Sequence, residues 1–302
     1  MYRHEFHAMG CKMLAISDSK QKPPDLDMVP LWFEEWERSL SRFRIDSELS
    51  QFNLHAGLPI KVSQTLWDVF TASVEAERMT GGLINPLILN ALINAGYDQS
   101  FDLLQQDSTS TFAEFEAVVP SLRAVKTEPS TRTICIPEGA QLDFGGVAKG
   151  WAAHQAMERL KVDGPSLVNA GGDIAISGLI SNREAWSIGI EDPFQPDSDF
   201  EILYIGEGGI ATSGRDYRHW TRNGRDFHHI IDPNTGQPAE TDILTATVIA
   251  PTVMQAEAIA KAVMILGSQF GLSWLDSDET LAGLFVLENG DRIDSKNLSR
   301  FI

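Results

Sequence analysis

The sequence predicts an α+β fold, with mixed or antiparallel sheets packed against helices rather than a doubly wound parallel sheet. Three observations carry this. Strand-length runs follow one another through residues 166–206, each bounded by Gly, Asn or Pro. Helical periodicity is confined to separate stretches before and after them. No internal repeat or regular strand–helix alternation joins the two. With 43% hydrophobic and 22% charged residues, the 302-residue chain suits one catalytic domain over 1–302, or two packed subdomains.

Along the chain, a strand is expected around Lys12–Ser17, followed by a break at Pro23–Pro24. Val29, Phe33, Trp36, Leu40 and Phe43 recur at spacings of four, three, four and three, which predicts an amphipathic helix. Ser63 is a suitable N-cap for a second helix that buries Leu66, Val69, Phe70, Ser73 and Val74 and stops at Gly81–Gly82. Asn85–Pro86 supplies a cap and a first-turn proline for a helix running to Gly96. Residues 97–130 are polar and weakly patterned, and predict a short helix and an excursion. A strand end at Gln141–Phe144 leads through Gly145–Gly146 into a helix from Val147 to about Val162. Strands are expected at Ser166–Asn169, Asp173–Ser177, Trp186–Glu191 and Glu201–Gly206. The β-branched run Thr245–Ala250 feeds a helix whose Thr252 and Gln255 have capping-box spacing. A last strand at Leu281–Leu287 ends in the Asn289–Gly290 turn.

Lys and Arg total 24 against 42 Asp and Glu, a net charge of −18. That balance argues against a nucleic-acid partner while allowing a local basic pocket, for which Lys149, Arg215 and Lys261 are the expected source. No run of eighteen apolar residues occurs, so no membrane span is expected. The opening MYRHEFHAMGCKMLAIS has no apolar h-region, cleavage site or lipobox, which predicts a cytoplasmic protein; a periplasmic one stays open if a signal was removed. Cys11 and Cys135 match no zinc spacing and suit a reducing compartment.

Five short segments have chemical potential. In Leu142–Gly150, paired glycines at a helix start let backbone N–H groups approach an anion and Lys149 adds charge; the bland alternative is a tight turn with a surface lysine. Asn169-Ala170-Gly171-Gly172-Asp173 is either a phosphate loop or a hairpin device. Ala211-Thr212-Ser213-Gly214-Arg215 offers two hydroxyls and a guanidinium, a diphosphate grip or a capped turn. His228-His229 enters the turn Asp232-Pro233-Asn234-Thr235-Gly236, where a histidine is a candidate general base, although a lone histidine is more often structural. Glu257 and Lys261, four apart on a helix, make either a solvated ion pair or, given the small neighbours Ala256, Ala258, Ala260 and Ala262, a packed one.

These segments occur in order after Met9-Gly10, Ser41-Arg42-Phe43, Ser47-Glu48-Leu49-Ser50, Asn53 and Thr80–Pro86. The series resembles the ApbE family of FAD:protein FMN transferases, from about residue 8 to residue 267; LDFGGVAKG, NAGGDI, TSG and HHIIDPNTG are its most specific pieces. The resemblance implies a T-fold-like α+β architecture that binds FAD and magnesium, cleaves the FAD pyrophosphate, and moves FMN onto a Thr or Ser hydroxyl of an acceptor protein with release of AMP. By motif it implies that Met9, Phe43, Leu83, Ile84 and Asn85 line the flavin and adenine, and that Asp143 and Lys149 contact FAD. It places Gly171, Gly172, Thr212 and Ser213 around the phosphates, gives the metal the Gly146 carbonyl and Glu257, and makes His229 the base.

Three positions depart from the family's pattern: Asn85 and Glu257 stand where Asp is usual, and Lys261 where Thr is usual. A protonated ammonium cannot ligate a metal. Lys261 therefore either replaces the metal as a catalytic charge, or marks a FAD-binding descendant that has lost metal-dependent transfer. A protein-interaction module without flavin is the third alternative. The chain has no Asp-x-x-Ser/Thr-Gly-Ala-Ser/Thr acceptor pattern of the family's kind.

Overall fold

A computed structural model describes residues 1–104, 107–108, 118–222 and 224–302. The chain divides into two compact units, one of Met1–Glu34, Lys149–Asp216 and Thr241–Ile302, the other of Glu35–Ala148 and Tyr217–Glu240. The expected excursion within 97–130 lies partly outside the described residues.

The first unit is built on a sheet of eight strands. They are β1 (Tyr2–Ala8), β2 (Cys11–Ser17), β3 (Ser166–Ala170), β4 (Asp173–Ser177), β7 (Glu207–Gly214), β8 (Ile243–Ala250), β9 (Ala282–Leu287) and β10 (Arg292–Asp294), in that spatial order and antiparallel throughout. The hairpin of β5 (Trp186–Asp192) and β6 (Gln195–Ile205) buries Trp186, Ile188, Ile190, Leu203 and Ile205 with Ile174, Ile176, Ile210 and Ile249 of the large sheet. Two-residue alternation sends those sheet residues to one face and Asp173, Ala175, Ala211 and Ser213 to the other. The helix α6 (Val253–Ser277) packs on β4, β7, β8 and β9. Its length and composition would suffice to cross a membrane, but here it is a core helix with Ala256, Ala258, Ile259, Ala260, Val263 and Met264 buried. As expected, Thr252 caps it, Oγ1 accepting the Gln255 N–H at 3.2 Å.

Helix α1 (Pro24–Leu40) follows β2, and the division between the units falls within it. In the second unit are α2 (Glu48–Asn53), α3 (Gln64–Met79) and α4 (Leu89–Asn94); α5 (Ala148–Leu160) opens at its end and runs into the first. Ser63 caps α3 and Asn85 caps the turn ahead of α4 through the Leu87 N–H, both as predicted.

The differences are local. β1 was not expected, and it pairs with β2 across a two-residue turn in which Met9 has φ +50°. Phe43 is not on the apolar face of α1, which ends at Leu40; it sits in the following turn and stays 43% exposed. Val74 is exposed on α3. Gln141–Phe144 is not a strand, because its backbone bonds elsewhere: Leu142 to the Asn53 amide at both N–H and C=O, and the Asp143 N–H to the Pro86 carbonyl.

Candidate functional site

In the first unit the structure gathers four charged side chains. Lys149 comes from the first turn of α5, Asp173 from the first position of β4, and Glu257 and Lys261 from successive turns of α6. The Lys149 ammonium donates to Asp173 Oδ2 and lies 3.8 Å from Glu257 Oε1. Lys261 donates to the same Oε1 at 2.9 Å, while the Gly150 N–H donates to Oε2 at 2.9 Å. A Cβ on residue 150 would stand 2.6 Å from Oε2, so a glycine is what lets α5 bring its N–H against the carboxylate. Glu257 is wholly buried, which rules out the solvated reading of its pair with Lys261.

Burial sets the titration of this cluster. It opposes the charge on Glu257, but Lys261, Lys149 and the Gly150 N–H hold that carboxyl below its usual range. Asp173 goes the other way: burial, and then the negative charge of Glu257, push it up to about 6. Burial would lower Lys149, yet Asp173 and Glu257 outweigh it and hold the ammonium above its ordinary value. Each lysine answers a carboxylate, so the expected surplus of positive charge is not present at this cluster. Arg215 does not add to it either; its guanidinium donates to the Ile243 and Thr241 carbonyls, both at 3.0 Å, and pairs with Glu288.

Gly171 and Gly172, with φ +64° and +97°, form the hairpin turn between β3 and β4, the blander of their two readings. Asn169 Oδ1 accepts the Gly172 N–H at 2.8 Å and fixes the turn. The residue that the turn delivers is Asp173, which sequence reasoning passed over because an aspartate after two glycines reads as part of the turn itself. Ser213 shares its sheet face and is buried. Thr212 points to the opposite face, where its hydroxyl meets Thr247 Oγ1 at 2.9 Å. Met9 lies at the tip of the β1–β2 hairpin.

In the second unit Asp143 is buried, accepting the Gly145 N–H at 2.8 Å on Oδ1 and Arg42 Nε at 2.9 Å on Oδ2. Phe43 follows Arg42, and the Pro86 carbonyl ties the 83–86 loop to Asp143. Leu83 is partly exposed and Ile84 buried. Asn85 uses both ends of its amide, Oδ1 on the Leu87 N–H and Nδ2 on the Pro120 carbonyl, each at 2.9 Å. Gly146 is partly exposed in the turn entering α5. Of the two histidines, His228 is buried, with Nε2 against the Ala239 carbonyl at 3.1 Å. His229 is partly exposed and makes a long contact, 3.5 Å, from Nδ1 to the Arg218 carbonyl.

The model of the ApbE family matches residues 16–285. The chain belongs to the ApbE family. A Vibrio cholerae protein named FAD:protein FMN transferase is 30% identical over 284 residues, covering 91% of this chain and 82% of its own length. A Treponema pallidum protein of the same name is 30% identical over 280 residues, covering 86% and 76%. The solved structure of the V. cholerae flavin transferase ApbE is 25% identical, with a TM-score of 0.80 over 100% of this chain and 99% of that one. The Thermotoga maritima ApbE protein, 24% identical, has the same fold, with a TM-score of 0.87 over 99% and 98%. The α+β architecture read from the sequence is thus that of the ApbE structures.

Proposed function

We propose that this ApbE-family chain is a FAD:protein FMN transferase, which cleaves the diphosphate of FAD and attaches FMN to a Thr or Ser hydroxyl of an acceptor protein. The observation that carries this is identity to two transferases of that name along nearly the whole chain. In the reaction the acceptor oxygen attacks the FMN phosphorus, the bond from phosphorus to the bridging oxygen breaks, and AMP departs with that oxygen. Such a step needs positive charge at the phosphates and a base for the hydroxyl proton.

A divalent cation fits the donor set poorly. Among the described residues no three His, Cys, Asp or Glu groups converge as metal ligands. Both oxygens of Glu257 are engaged, Oε1 by Lys261 and Oε2 by Gly150. Although the cluster carries no net surplus of charge, we assign the donors at the diphosphate to the ammonium groups of Lys261 and Lys149, held in place by Glu257 and Asp173. His229 takes the acceptor proton: with Nδ1–H toward the Arg218 carbonyl, the lone pair lies on Nε2. Phe43, Leu83, Ile84, Asn85, Asp143 and Met9 are assigned to the rings of FAD, and Ser213, which shares the sheet face of Asp173, to its phosphates. Nothing in the cluster favours the reading in which transfer has been lost. The test is incubation with FAD and an acceptor, following AMP and protein-bound flavin. Stoichiometric AMP and covalent flavin are expected; neither would appear if the chain only binds FAD.

A further inference from the structure

The second unit contains a buried cation that the assignments above do not use. Arg42 follows α1 in a turn pinned by the Ser47 hydroxyl, which donates to the Ser41 carbonyl at 2.6 Å. Its side chain is only 6% exposed. Nε is satisfied by Asp143 Oδ2 at 2.9 Å, and the guanidinium carbon lies over two rings, 4.1 Å from the centre of Phe43 and 4.5 Å from that of Tyr97. Nη2 is buried and has no hydrogen-bond partner. A buried donor left unpaired is costly, more so on a charged group, and native structures seldom keep one without a use.

The surroundings say what would complete it. The missing partner must be an acceptor. It must reach a place beside an aromatic ring, Phe43, that is 43% exposed although Arg42 covers part of it. Asp143, bonded to the same guanidinium, adds carboxylate lone pairs next to the orphan donor. A donor and an acceptor side by side at the edge of a stacking surface match a flat heteroaromatic ring whose edge carries a carbonyl beside an N–H. The pyrimidinedione edge of a flavin has that pattern, and its carbonyl oxygens are better partners for a guanidinium than an adenine ring nitrogen.

We infer that Arg42 binds the flavin ring of FAD, with Nη2 donating to a ring carbonyl while Nε holds Asp143 in place to receive the neighbouring N–H. This rests on the FAD-dependent reading above and deepens it: Arg42 becomes the residue that selects the flavin end of the substrate.

The test titrates wild type, Arg42→Met and Arg42→Lys with FAD, FMN and AMP separately, recording the visible absorption band of the bound flavin. Arg42→Met is expected to weaken FMN and FAD at least about tenfold, to return the flavin band toward that of free flavin, and to leave AMP binding unchanged. Arg42→Lys retains a charge for Asp143 but lacks the forked second donor; it should keep the wild-type melting temperature and still lose flavin affinity. It decides the matter if the methionine variant does not fold. Folded variants with unchanged FMN affinity and an unchanged flavin band would overturn the inference and leave the transferase reading standing. Loss confined to AMP would move the contact to adenine and also overturn it. A wild type that binds neither FAD nor FMN would overturn both.

Discussion

Removing the Lys261 ammonium should expose how tightly the charge cluster is coupled. In Lys261→Met the stem is kept and the charge lost, leaving wholly buried Glu257 with the Gly150 N–H at 2.9 Å and Lys149 at 3.8 Å. At 2.9 Å the gross attraction between Lys261 and Glu257 is about 6 kcal/mol for an effective dielectric near 20. Desolvation of both ions offsets much of it, and breaking a buried pair from one side typically costs about 3–5 kcal/mol. Lys149 and Gly150 remain to support the carboxylate, so the lower end, about 3 kcal/mol, is expected. Urea unfolding at neutral pH measures it, and the cycle with Glu257→Gln should return a coupling of about 1–3 kcal/mol. A Lys261→Met protein within about 0.5 kcal/mol of wild type, with no coupling to Glu257, would show that the pair behaves as an exposed one.

Three further outcomes follow from particular contacts. Asp173, raised from 3.8 to about 6 by burial and Glu257, holds its proton in the folded state after the unfolded chain has released it. Its contribution is therefore complete below about pH 4 and is lost as pH rises through about 6, a dependence that Asp173→Asn should abolish in stability measured against pH. Asn53→Leu should cost about 2–4 kcal/mol in chemical unfolding, since the buried amide satisfies both the N–H and the C=O of Leu142, and it should also weaken FAD binding through the adjoining Asp143. Met9→Gly relieves a left-handed backbone and should stabilise by about 1 kcal/mol while reducing FAD affinity; unchanged affinity would remove Met9 from the ring contacts.

What could be read from the sequence was what local chemistry dictates. Ser63, Asn85 and Thr252 cap where their spacing said they would, because a cap is decided within three residues. Phe43 continued a helical period that the chain abandons at Leu40, since apolar spacing cannot show where a turn begins. The run Gln141–Phe144 looked like a strand because nothing nearby reveals that Asn53 takes its hydrogen bonds. The strand β7 was missed for its glycines, which suit a central position under a closely packed helix better than propensity suggests. At the site, Glu257 and Lys261 were legible as one helical face. Their joining with Lys149 and Asp173 was not, because three separate elements supply the cluster and only the folded sheet aligns them. Arg42 was visible only as a letter between Ser41 and Phe43; its burial and its unpaired donor belong to tertiary structure.

We propose that this chain transfers FMN with lysine charge at the diphosphate in place of a metal. AMP release from FAD, measured with an acceptor carrying the Asp-x-x-Ser/Thr-Gly-Ala-Ser/Thr pattern and in parallel with magnesium and with a chelator, tests it most directly. The expected result is one AMP per flavin attached, undiminished by the chelator and lost in Lys261→Met. AMP release that requires magnesium and survives Lys261→Met would contradict the claim.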